Sequence, residues 1–319
     1  LPRALGLGLN QIIFIFITAV ASLLGAGSIA IFNLSFNLQS LPLSVIGVSY
    51  SVAGFPILAR LFVKNQKRQF LDYTIIAARQ IIFCSVPVSI LLIVLRAQIV
   101  RVIFGYGQFG WRDTRLTAAA LALFAFSITS QALIILFVRA FYAAGKTMKP
   151  IIINILFFIF IAAGIFLSFN AAGSSLSPMP FFESILRVEN VKDAEMLLLP
   201  LLFSIGMIFN SIFLCWIFQK DFGKIWPSVK KTFFQVILSS VLMGAVAYFF
   251  LNVLDKIFDI KTFVGIFFQG FVSALFGSAV WYAVLRSARN RELIEITGAL
   301  KKKFWKEPQV VVPEPEELP

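Results

Sequence analysis

Apolar runs of membrane-spanning length recur in every third of the chain, separated by short basic turns. Few folds tolerate such a pattern. In hydrocarbon each backbone N–H and C=O must find its partner inside the protein, so runs of this length and spacing have to be helices. The pattern therefore predicts an all-α, polytopic helical membrane protein with about eight transmembrane helices. Composition bears on the same point, because only 13% of residues are charged, against about a quarter in an average soluble domain.

The spans are predicted at about 4–24, 29–62, 69–95, 113–144, 150–169, 194–218, 227–253 and 262–285. The second would be about 50 Å long as a continuous helix, more than the bilayer core. Pro42 and Pro56 should kink it. The fourth reads as one unbroken helix. Arg96 to Phe109 reads as a short interfacial helix followed by a glycine turn, and residues 171–191 form the one sizeable loop between spans. Residues 286–306 read as a basic amphipathic segment lying on the membrane surface. The Pro- and Glu-rich residues from Glu307 to Pro319 read as a disordered tail.

The net charge of +13 would suit nucleic acid only if a soluble basic domain existed, and none does. Instead the charge sorts by loop. The turns Arg60–Arg68, Lys146–Lys149 and Lys220–Lys231 and the basic tail fall on one side. The neutral or acidic turns at 25–28, 171–191 and 255–261 fall on the other. The basic side is the cytoplasmic one, which puts both ends of the chain there. Arg96, Arg101, Arg112 and Arg115 dissent from this alternation.

Groups for catalysis are missing. Histidine is absent, which removes a Ser-His-Asp set and a Cys/His metal cluster. Acidic residues are too sparse at membrane depth to pair as general acid and base. The Gly105–Gly110 run lacks the strand-loop-helix setting and the Lys-Ser/Thr ending of a phosphate loop. No enzyme, metal or cofactor is expected. Cys84 and Cys215 lie inside apolar runs, so no disulfide framework is expected either.

What the spans do carry is polar stripes. Asn33, Asn37, Ser40 and Ser44 recur at helical spacing and share one face, with Gln39 flanking it. Ser127, Thr129, Ser130 and Gln131 cluster in the fourth span. Asn10 and Gln11 lie in the first, Asn154 in the fifth and Asn210 in the sixth. Lipid offers these groups no partner, so they face other helices or a wet cavity. Two readings stand: a hydrated cavity that receives a polar headgroup, or interhelical hydrogen bonds worth about 1 kcal/mol each. Arg79 lies about ten residues into its span, where it would face a cavity or snorkel to the headgroups. Arg139, near a cytoplasmic helix end, suits a phosphate-anchoring position.

Several segments are similar to those of one family. Leu1-Pro2-Arg3 leads into a span with Asn10-Gln11. Asn37-Leu38-Gln39-Ser40-Leu41-Pro42 precedes Gly47 and the ending Phe55-Pro56-Ile57-Leu58-Ala59-Arg60. Phe104-Gly105-Tyr106-Gly107-Gln108-Phe109 is followed by Asp113-Thr114 and Thr117, and the run Arg139 to Pro150 reads Arg-Ala-Phe-Tyr-Ala-Ala-Gly-Lys-Thr-Met-Lys-Pro. In this order they resemble the second half of the MurJ/MviN family of lipid II flippases, within the multidrug/oligosaccharidyl-lipid/polysaccharide exporter superfamily. The resemblance implies a bacterial cytoplasmic-membrane protein of two six-helix lobes around a central cavity, plus two final helices. Residues 1–220 would then be the second lobe. Residues 221–286 would be the two further helices, with a groove for the lipid tail, and 287–319 the amphipathic segment and tail. The implied partners are a lipid-linked glycan precursor, membrane lipids and the first lobe, which these residues do not include. Some members carry an arginine where this chain has Asn37, so the resemblance gives this half no pyrophosphate contact of its own. An exporter of another lipid-linked oligosaccharide is the alternative. A membrane-embedded glycan transferase would need a larger extracytoplasmic loop than 171–191.

Overall fold

The computed structural model describes residues 2–25, 27–105, 107, 109–171, 186, 188, 191, 193–259 and 262–304, with no account of side chains at 2–10, 169–171 and 299–304. Among them all regular structure is helical. In order these are α1 (Pro2–Ser22), α2 (Ser28–Leu43), a π-helical turn (Ser44–Val48), α3 (Ser49–Val63), α4 (Lys67–Val94), α5 (Arg96–Phe104) and α6 (Trp111–Ala125). There follow α7 (Ile128–Ala143), α8 (Met148–Ala171), a 3₁₀ turn (Ala194–Leu197), α9 (Leu198–Phe222), α10 (Trp226–Leu254), α11 (Phe263–Ser287) and α12 (Arg291–Phe304). By length and composition, 6 continuous helices among the described residues suffice to cross a membrane, and α6 with α7 makes a bent seventh. The first expected span is α1, whose described side chains form the shorter apolar stretch Gln11–Ser22. Most of the 171–191 loop, the acidic tail and the Asn10 side chain lie outside the described residues.

The second span departs from a plain kinked helix. Pro42 has no N–H to give, so one intrahelical bond is missing above it. The chain then widens into the π turn, in which the Ser49 N–H reaches back to Ser44 O. Single π turns of this kind bend helices. Gly47 lets the wide turn pack, because a Cβ there would sit 3.0 Å from the backbone of Ala132 on α7. At Pro56 the helix runs on without interruption.

The fourth span is broken where continuity was expected. α6 and α7 meet at 44°. At the break the Ser127 N–H turns to Phe124 O, 2.9 Å away. The Leu123 carbonyl thereby loses its usual partner, and Ser204 Oγ of α9 donates to it at 2.8 Å. The serine cluster read as a stripe is, in part, the repair of this break.

Two cores hold the bundle. One joins α1, α2, α6, α8 and α9 around Ile17, Phe32, Leu116, Phe124 and Phe203. The other joins α3, α4, α7, α9, α10 and α11 around Leu58, Phe70, Phe137, Phe141 and Phe218. Lipid is as apolar as these rings, so close packing rather than exclusion of water does the holding. The Phe70 and Phe218 rings stack at 6.2 Å, and Phe218 meets Phe222 at 4.7 Å. α10 and α11 pair tightly, α10 along α4 and α11 against α5. A Cβ on Gly277 would sit 2.9 Å from Met243 O, so glycine is what permits that approach.

The amphipathic segment has an attachment at its start. α12 is fastened to the bundle. Asn290 and Glu292 are buried, and Leu293 joins the second core. Asn290 Nδ2 donates to Gln235 Oε1 at 2.9 Å, and Gln235 Nε2 donates to Ala288 O at 3.1 Å.

Candidate functional site

α2 sorts its polar groups onto two faces. Asn37 and Ser44 are exposed, and Asn33 and Ser40 are half-buried. The Ser40 hydroxyl donates to Asn37 O at 2.7 Å. Leu41, Val45 and Val48 are exposed beside them. On α1, which packs against α2 through Phe14, Phe32 and Phe36, Gln11, Ile12 and Ile15 are exposed too. The described chain therefore leaves uncovered a face of α1 and α2 that carries Gln11, Asn37 and Ser44. An amide such as Asn37 is costly against lipid, which marks this as a face for something polar.

Gln39 points the other way and is fully buried. Gln131 Nε2 donates to Gln39 Oε1 at 3.0 Å and to Ser127 Oγ at 2.8 Å. Ser204 Oγ lies 3.2 Å from the same Ser127 hydroxyl. This chain of contacts ties α2 to the bend between α6 and α7 and to α9. Among the described residues Gln39 Nε2 has no hydrogen-bond partner. Beside the network is a cavity of about 220 Å³ with mostly apolar walls, Phe36, Phe157 and Phe203 among them, to which Gln131, Asn154 and Asn210 bring the polar groups. Asn210 Nδ2 donates to Asn154 Oδ1 at 3.2 Å, and among the described residues Asn210 Oδ1 has no partner. Gln39 and Gln131, predicted as cavity residues, thus meet inside the lobe, where they set the position of α2.

The two arginines separate. Arg79 is held inside the protein by an acidic partner. Its Nη2 lies 2.5 Å from Glu292 Oε1, with side chains 15% and 3% exposed. Its Nε donates to Thr232 Oγ1 at 3.2 Å, and that hydroxyl donates to the Glu292 carboxylate at 3.1 Å. The cluster joins α4, α10 and α12. Glu292 and Thr232 escaped the sequence reading, since no periodicity links an acid in a basic amphipathic segment to an arginine in a distant span. Arg139 is half-buried on α7, one turn before its end, and is engaged within the protein. Beyond it the basic turn is organised by Asp221, which takes Lys146 at 3.0 Å and Lys149 at 2.5 Å. Lys220 caps the Trp216 ring at 3.9 Å.

These features define an all-helical, multi-pass membrane protein with a polar face left open among the described residues. A family model described as lipid II flippase MurJ matches residues 1–269, and the chain belongs to that family, a multi-pass family of the bacterial inner membrane. A probable lipid II flippase MurJ of Buchnera aphidicola (subsp. Schizaphis graminum) is 32% identical over 155 residues, which is 49% of this chain and 30% of the relative. The corresponding Thermotoga maritima protein is 25% identical over 244 residues, 75% of this chain and 44% of the relative. The chain thus spans well under two thirds of the length of these relatives. A solved lipid II flippase MurJ in an inward closed conformation superposes with a TM-score of 0.63 at 20% identity, covering 88% of this chain and 52% of that one. A MOP superfamily transporter from Pyrococcus furiosus gives 0.53 at 14% identity, covering 95% and 66%. Both structural likenesses speak to the fold.

Proposed function

We propose that this chain acts, together with a preceding six-helix lobe, as a flippase that carries undecaprenyl-linked lipid II across the cytoplasmic membrane for peptidoglycan synthesis. The observation that carries the reading is an open α1–α2 face with Gln11, Asn37 and Ser44 in a chain matched to the family over residues 1–269. A headgroup of sugars and phosphates needs hydrogen-bonding groups in a wet cleft, while its tail stays in lipid. Two lobes rocking against each other around such a cleft alternate its access without breaking either lobe. On this reading Asn33, Asn37, Ser40, Ser44 and Gln11 line the cavity. Gln39 and Gln131 are positioning residues, Arg79 is a structural clasp, and Arg139 anchors at the headgroup level.

Residues 1–220 serve as the second lobe and α10–α11 as its added pair. The tail has a candidate path along that pair, where Phe249, Phe263, Phe267, Phe268 and Phe271 are exposed. Phe250 is committed instead to Phe276, stacked at 4.1 Å. The test is complementation of a flippase-depleted strain by the protein expressed with a first lobe. Asn37→Leu should reduce growth rescue at unchanged membrane levels. Rescue equal to the parent, or loss only in step with protein level, overturns the assignment of this face.

A further inference from the structure

Between α8 and α9 runs a groove of about 550 Å³ with almost wholly apolar walls. Leu156 and Phe160 of α8 and Ile212, Phe213 and Trp216 of α9 form those walls, and all five are exposed. At the floor lies Gly206, where a Cβ would sit 2.5 Å from the ring of the buried Phe157. A side chain at 206 would displace that ring, so glycine keeps the groove deep. Asn210 brings the one amide among the described residues of the lining, and its Nδ2 is given to Asn154.

α8 begins and α9 ends at the basic turns, so the groove lies in the leaflet that meets them, the cytoplasmic one by their charge. Along α9 it extends from Gly206 to Trp216, about 15 Å at the rise of an α-helix, or half of a hydrocarbon core about 30 Å thick. The rings of Phe160 and Phe209, 5.6 Å apart, stand at its mid-bilayer end. At the other end Phe213 stacks on Trp216 at 5.6 Å, and the exposed Lys220 sets its ammonium 3.9 Å over the Trp216 ring. Tryptophan and lysine at this level belong to the zone of the headgroups.

In hydrocarbon no expulsion of water draws a chain to the protein, so a groove is preferred over a flat helix face through contact on several sides. An unfilled groove forfeits those contacts. The distance from headgroup level to mid-bilayer is the reach of one acyl chain, and Lys220 puts a cation where the phosphate of that lipid comes to rest. We propose that the α8–α9 groove holds one acyl chain of a phospholipid of the cytoplasmic leaflet, with its phosphate at Lys220. The site is separate from the α10–α11 path given to the substrate's tail. Phe157 and Asn210 line both this groove and the cavity beside the Gln39–Gln131 network, so the held chain backs the wall of that cavity.

The test titrates the purified, delipidated protein in detergent with dioleoyl phosphatidylglycerol and counts bound lipid by native mass spectrometry. One phospholipid should bind well below the concentrations that load further copies. Ile212→Trp and Leu156→Trp, at exposed wall positions on opposite helices, should fill the groove and weaken that first binding about fivefold or more. Either one that inserts is decisive. Leu238→Trp, exposed on α10 outside the groove, should leave it unchanged. Lys220→Gln should weaken it about fivefold, the value of one basic residue near an anionic surface. Displacement of the phospholipid by an equal concentration of undecaprenyl phosphate would give the groove to a prenyl chain. Loss of binding when a first lobe is joined would give it to a contact between lobes. Either result overturns the proposal, as does binding unchanged by the wall variants or by Lys220→Gln, or weakened equally by Leu238→Trp.

Discussion

Arg79 offers the sharpest test of how the bundle is closed. Its guanidinium meets Glu292 at 2.5 Å, both groups share Thr232, and the carboxylate is 3% exposed. Two unit charges about 4 Å apart attract by about 4 kcal/mol at an effective dielectric constant near 20. Breaking a buried pair by removing one partner costs about 3–5 kcal/mol, mostly from the charge left behind. The two halves should not cost the same. Arg79→Ala strands the more deeply buried partner, so it should fall near 5 kcal/mol. Glu292→Ala leaves an arginine with some access to water, so it should fall near 3 kcal/mol. Replacing both, as Arg79→Met/Glu292→Leu, removes the stranded charge and should recover all but about 1–2 kcal/mol. Thermal unfolding of the purified protein in detergent gives the cycle. A cysteine at buried Leu293, with Cys84 and Cys215 replaced by Ala, reports whether α12 lifts, and it should become reactive in each single variant and not in the double. Additive losses with no coupling would refute the pairing. Loss of transport in Arg79→Ala at unchanged stability would put Arg79 in the transport path instead.

Other predictions follow from single contacts. With the native cysteines replaced, a cysteine at Ser175 should react with an impermeant thiol reagent outside intact cells and one at Thr147 should not, and the reverse labelling would invert the orientation. Ser204→Ala strips the Leu123 carbonyl of its partner at the α6–α7 bend, which should cost about 1–3 kcal/mol, read by the same unfolding assay. Gly47→Leu drives a side chain into Ala132 and should cost about 1–3 kcal/mol as an overpacked contact, with Gly47→Ala milder.

Sequence periodicity reached the helices and one face of α2, and stopped at contacts made across the chain. The apolar runs needed no partner to be read, since lipid imposes the helix on each separately. The Asn33/Asn37/Ser44 register was legible for the same reason, because it is a property of one helix. The bend at Phe126–Ser127 was not. Its serines look like a stripe until Ser204, on another helix, is seen to satisfy Leu123 O. Gln39 stands beside the open face in sequence and turns inward only because Gln131 meets it. Arg79 could be weighed only against lipid and water, since Glu292 belongs to a segment whose basic composition pointed to the membrane surface. The π turn after Pro42 also depends on a neighbour, as Gly47 must fit against Ala132.

On the proposed function, the open α1–α2 face works, with a first lobe, on lipid II. The direct measurement is extracytoplasmic exposure of lipid II in cells depleted of their own flippase and supplied with the protein joined to a first lobe. Exposure should be restored by the parent, reduced by Asn37→Leu at equal membrane level, and reduced again when residues from Ser228 onward are removed and the lobe still inserts. A protein that inserts and folds but exposes no lipid II, while exposing a different lipid-linked glycan, would contradict the account.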